Sequence, residues 1–77
     1  MEANEEIPRF QRRVEHYLGM TLRNPGKYVH IRPKKGLSSL KAIHNERDAV
    51  VERIGESLSL AGIKSERRGR YSIRVCL

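Results

Sequence analysis

The sequence predicts an α+β domain with two helices, a small, mostly antiparallel sheet of about three strands, and a C-terminal β-hairpin. Three patterns carry that prediction. Apolar residues at 7, 10, 14, 17 and 18 keep helical spacing, and so do those at 50, 51, 54, 58 and 61. Residues 71–77 alternate strictly, with Tyr71, Ile73, Val75 and Leu77 opposite Ser72, Arg74 and Cys76. At 77 residues the chain is read as one small basic domain, 1–77.

The first helix is expected from Glu5 to about Leu18. Asn4 can cap it, Glu5 and Glu6 complement its dipole, Pro8 belongs in a first turn, and Gly19 is a natural stop. Arg23 to Lys27 reads as a turn with Pro25 and Gly26 at its centre. Lys27 to Arg32 follows as a strand closed by Pro33. Its alternation sets Val29 and Ile31 against Tyr28, His30 and Arg32. Lys34, Lys35 and Gly36 form a basic loop. Leu37 to Ile43 reads either as a helical turn, through Leu37, Leu40 and Ile43, or as a second strand.

The second helix is expected from Glu46 to Ala61, capped by Asn45, with Glu46 and Asp48 in its first turn. Gly62 followed by Ile63 ends it. Gly55 in its interior costs roughly 1 kcal/mol against alanine and leaves room for a strand or partner helix to approach. Ile63 to Glu66 and Tyr71 to Leu77 are the arms of the hairpin, which turns at Gly69.

Composition narrows the setting. With no Trp and one Phe, the core rests on Leu, Ile and Val. So short a chain buries only about 60% of its unfolded surface, and assembly as a homodimer would add to that. The single cysteine, Cys76, excludes an internal disulfide and fits a reducing compartment. The acidic N-terminus lacks the apolar segment of a secretory signal, and no long apolar run could span a membrane. A cytoplasmic protein with no membrane partner is expected.

Charge is the most telling property. Sixteen Lys and Arg against nine Asp and Glu leave +7, unevenly distributed. Residues 7–44 carry nine bases and one acid, and residues 63–77 carry five bases and one acid. Between them, residues 45–62 carry two bases and four acids. Two basic stretches flanking an acidic helix point to a polyanionic partner.

Three basic clusters are candidate contacts. On the first helix Arg9, Arg12, Arg13 and His16 follow i, i+3, i+4, i+7 and form one ridge. In the hairpin, Arg67, Arg68 and Arg70 surround Gly69, with Lys64 and Arg74 on the arms. Lys34 and Lys35, with Arg32 beside them, form a loop able to meet phosphates without reading sequence. Tyr28 shares the polar side of its strand and is the candidate for stacking on an unpaired base, whereas Tyr71 aligns with Ile73 and Val75 and is expected in the core.

Site chemistry is thin. His16, His30 and His44 fall one per element, and with Cys76 they make no zinc-type spacing. No glycine-rich phosphate loop, Ser/His/Asp arrangement or carboxylate pair is present, so no metal, cofactor or enzymatic activity is expected. Leu58-Ser59-Leu60-Ala61-Gly62-Ile63, followed by Tyr71-Ser72-Ile73-Arg74-Val75, resembles the helix and strand of a LAGLIDADG homing-endonuclease repeat. That resemblance covers under half the chain. The acidic residue that holds metal in that family has no counterpart, and no active-site residue is carried over.

The expected function is a non-enzymatic nucleic-acid-binding module that grips DNA or RNA phosphates through the helical ridge and the Arg-rich hairpin. The alternative is a small phage-type inhibitor or adaptor, whose basic surface meets an acidic groove of a protein acting on nucleic acid. A ribosome-associated factor would share the RNA-binding chemistry. The standard winged-helix docking is disfavoured, because the helix before the hairpin is the acidic one and would be repelled from phosphates.

Overall fold

The computed structural model describes residues 6–77, with side chains from Pro8 onward. The protein is α+β: α1 (Glu6–Arg23), β1 (Val29–His30), α2 (Leu40–Leu60), β2 (Ser65–Arg67) and β3 (Ser72–Val75). The three strands form one antiparallel sheet in the order β1-β3-β2. Thus β1 and β2 run parallel to each other, joined through α2, with β3 inserted between them. Both helices pack on the same side of this sheet and against each other. No described helix or strand covers the other sheet face, and the described fold is only 16 Å thick across its shortest axis.

The core lies between the two layers. Val14 and Tyr17 of α1, Val50, Val51, Ile54 and Leu58 of α2, Val29 and Ile31 at β1, and Ile73 of β3 are buried together. The expected alternation around β1 holds, with Val29 and Ile31 inside and His30 and Arg32 exposed. The ladder itself is only two residues long on this strand.

α1 is longer than its glycine suggests. Gly19 does not stop it. A single interior glycine costs about 1 kcal/mol, and the buried stripe continues one turn further to Thr21, whose hydroxyl donates to the Tyr17 carbonyl at 2.7 Å. The helix stops where Asn24 precedes Pro25, since a residue before proline is driven out of helical geometry. Lys27 N–H then donates to the Asn24 carbonyl at 3.1 Å. Gly26 takes φ +83° in this turn, as the third position of a type II turn requires. The Asn4 cap and Glu5 lie outside the described residues.

α2 also begins early. Ser39, not Asn45, is its cap: the Ser39 hydroxyl accepts from the Ala42 N–H at 3.1 Å. The helical reading of Leu40 to Ile43 is therefore the right one, and Glu46 and Asp48 sit in the second and third turns rather than the first. The far end matches expectation. Ile63 N–H bonds the Leu58 carbonyl at 2.8 Å, Gly62 N–H bonds the Ser59 carbonyl at 3.0 Å, and Gly62 has φ +75°.

In the hairpin, Ser65, Glu66 and Arg67 pair with Val75, Arg74 and Ile73. Leu77 alternates in phase with Ile73 in the sequence, but it lies beyond the last paired residue and is 99% exposed. Tyr71 is half-buried rather than in the core. No described helix is long and apolar enough to cross a membrane.

Candidate functional site

The segment after β1 decides where the basic loop goes. It leaves the ladder at once, so its backbone polar groups need other partners. One backbone carbonyl and three side chains supply them. Ile31 N–H reaches the Tyr71 carbonyl at 2.8 Å. The Ile31 carbonyl accepts from Arg47 Nε at 2.9 Å, the Arg32 N–H donates to the Tyr17 hydroxyl at 3.2 Å, and the Arg32 carbonyl accepts from Arg13 Nη2 at 2.7 Å. Residues 31 and 32 are thereby tied to α1 and α2, and Pro33 and Lys34 follow directly.

The result is an open cleft of about 310 Å³ between α1 and this loop. Arg9, Arg12, Arg13, His16 and Tyr17 line it from α1, and Lys34 lines it from the loop. Lys34 of the basic loop is thereby brought beside the ridge on α1. Arg13 is the wall of the cleft more than its charge. Its guanidinium donates to both Glu46 carboxylate oxygens at 2.7 Å, with side-chain exposures of 19% and 14%. Hydrogen bonding to Glu46 raises its already high pKa. Arg9, Arg12 and Lys34 also line the cleft, with His16 packed edge-on against Tyr17. Arg32 and Lys35, both exposed, flank Lys34 in the chain.

The hairpin arginines do not join this cleft. Arg67 belongs to β2 and turns toward the helices, donating to Asp48 at 2.9 Å and to the Arg70 carbonyl at 2.8 Å. Arg70 lies in the turn, 5.6 Å from the Tyr71 ring centre. Arg68 and Arg74 are on the uncovered sheet face with Tyr28, whose ring centre is 5.1 Å from the Arg68 guanidinium and 4.7 Å from that of Arg74. Lys64 precedes β2 and is exposed. Arg74 is held by Glu66 at 2.6 and 2.9 Å. That contact, then the Tyr28 hydroxyl, holds the Glu66 carboxyl below its ordinary pKa. The helical ridge and the hairpin thus lie on different faces of the domain.

Two residues outside the basic clusters also shape the site. Tyr17 anchors the loop through its hydroxyl. Arg47 is 9% exposed and lies 3.9 Å over the Tyr71 ring, with Nη2 2.9 Å from His30 Nε2. A guanidinium only donates, so His30 Nε2 is the acceptor and its Nδ1 carries the proton, facing Ser72 Oγ at 3.2 Å. Arg47 could have been read from the sequence, because it extends the stripe of Val50, Val51, Ile54 and Leu58 by one turn.

Among the described residues no group of three His, Cys, Asp or Glu side chains is placed to hold a metal ion. No protein-family model, curated protein or solved structure matches this chain.

Proposed function

We propose that the protein is a non-enzymatic nucleic-acid-binding module that holds backbone phosphates in the cleft between α1 and the 32–35 loop. The observation that carries this reading is the convergence of Arg9, Arg12, His16 and Lys34, from two separate stretches of chain, on one concave surface. Cations gathered on one patch raise the local potential for an anion above that of the same cations scattered over the surface. Phosphates are the fitting anions because arginine presents planar, forked donors to them. Contacts of this kind fix position without reading sequence.

The test is a binding titration with a mixed-sequence duplex at several salt concentrations. Affinity should fall steeply as salt rises, through counterion release. The Arg12→Ala variant should bind more weakly, with a salt slope shallower by about one. No binding at low salt would reject the reading and leave the acidic groove of a protein as the partner, which a lysate pull-down unaffected by nuclease would reveal.

A further inference from the structure

The uncovered face of the sheet has a separate composition. The pairing of Val29 with Ile73 and of Glu66 with Arg74 sets Tyr28, Arg74 and Glu66 in one row across the three strands. The next row holds His30, Ser72 and Arg68, because His30 pairs with Ser72 and Arg68 N–H bonds the Ser72 carbonyl at 3.0 Å. Alternation adds Lys64 to the same face. Lys64, Arg68 and Arg74 outweigh the one acid, Glu66, and the guanidinium groups of Arg68 and Arg74 lie over a single aromatic ring, Tyr28. No element of the described fold covers it.

We infer that this face binds single-stranded nucleic acid, with one unpaired base stacked on Tyr28. The inference rests on the nucleic-acid reading above and extends it to the class of strand. Three features favour this occupant. The net positive charge suits a phosphate chain crossing the strands. The flat, sequence-indifferent ring suits the π-face that every base offers. The two arginines on that ring differ in freedom: Arg74 is fixed by Glu66 and by the Gly26 carbonyl at 3.4 Å, whereas Arg68 is an exposed turn residue. A base takes the place of Arg68 over Tyr28, Arg74 stays as its support, and the displaced Arg68 guanidinium meets the adjoining phosphate. In a duplex the bases are already stacked and cannot reach the ring. The cleft serves both kinds of strand and the sheet face only one.

The experiment compares a short oligothymidylate with a mixed-sequence duplex of equal length, for the wild type and for Arg12→Ala, Tyr28→Leu and Tyr28→Phe. Tyr28→Leu should lose at least about fivefold in affinity for the single strand and stay within about twofold for the duplex. Arg12→Ala should lose affinity for both. Tyrosine emission gives a second readout that does not depend on the leucine variant folding. Stacking should quench it in the wild type, and Tyr28→Phe should bind as well but lose that quench. Duplex binding with a single-strand affinity indifferent to Tyr28→Leu, or a quench that survives in Tyr28→Phe, overturns the inference and leaves the cleft reading standing. Absence of binding to either strand overturns both.

Discussion

Arg13 and Glu46 fasten the two helices to each other through paired N–H···O bonds of 2.7 Å, and the same guanidinium also holds the Arg32 carbonyl. One side chain thus sets the helix spacing and the position of the basic loop. Both partners are mostly buried, so the pair is screened less than a surface pair and is costly to break on one side.

Arg13→Ala is expected to destabilise the fold by about 1–3 kcal/mol, because Glu46 and the Arg32 carbonyl lose their donor. In a double-mutant cycle with Glu46→Gln, the two substitutions should be strongly non-additive. Urea denaturation followed by circular dichroism gives both numbers. Simple additivity would mean that the pair contributes nothing specific.

Arg47 tests the other anchor of the same segment. Arg47→Met keeps an aliphatic stem but removes the guanidinium that lies over Tyr71 and donates to Ile31, and should cost about 2–3 kcal/mol. Arg47→Lys should recover little, since one ammonium cannot lie flat on the ring and still fork to Ile31 and His30. A methionine variant as stable as the wild type in urea would show that the Ile31 carbonyl is satisfied by other means.

Two glycines should respond with opposite sign. A Cβ on Gly55 would meet Ile73 Cδ1 at 3.7 Å, an ordinary contact, and the residue is in mid-helix. Gly55→Ala should therefore raise stability by roughly 0.5–1 kcal/mol. Gly62 has open space around it but φ +75°. Gly62→Ala should lower stability by about 1 kcal/mol through the left-handed conformation alone. Thermal melts of the two variants should move in opposite directions.

Glu66 offers a pH test. Its folded pKa is depressed by Arg74 first and Tyr28 second, so its contribution is present above the ordinary carboxylate pKa and is lost as pH falls through the lower folded value. A carboxyl titration by NMR should find its midpoint below that of an ordinary glutamate. Arg74→Ala should move the midpoint back up. An ordinary midpoint in the wild type would mean that the pair does not persist in solution.

Much of this fold is legible in the chain because periodicity and turn chemistry agree. Val50, Val51, Ile54 and Leu58 mark the buried face of α2, Pro25-Gly26 marks the turn after α1, and Gly62-Ile63 marks a helix end. What misleads are residues with two plausible roles. Ser39 and Asn45 are both good caps, and the half-buried Ala42, Ile43 and His44 between them extend the helix back to the earlier one. Gly19 is a stop only where nothing beyond it packs, and Thr21 packs. The cleft was half legible: spacing along α1 groups Arg9, Arg12, Arg13 and His16, but only the ties from Tyr17, Arg13 and Arg47 bring Lys34 to them. That Arg13 and Arg67 are spent on carboxylates of α2 depends on tertiary placement, which charge counting along the chain does not contain.

The placement of β3 between β1 and β2 has a consequence for how the chain folds. Neither outer strand has a hydrogen-bonding partner until residues 72–75 arrive, although β1 precedes them by some forty positions. The helices can form and dock first, with sheet closure as the late, long-loop step that limits the rate. Until then Val29 and Ile31 are an unpaired apolar segment, open to intermolecular pairing. The basic residues on either side of that segment, Lys27 and Arg32, act as gatekeepers during the interval, a role distinct from any they play in the finished domain.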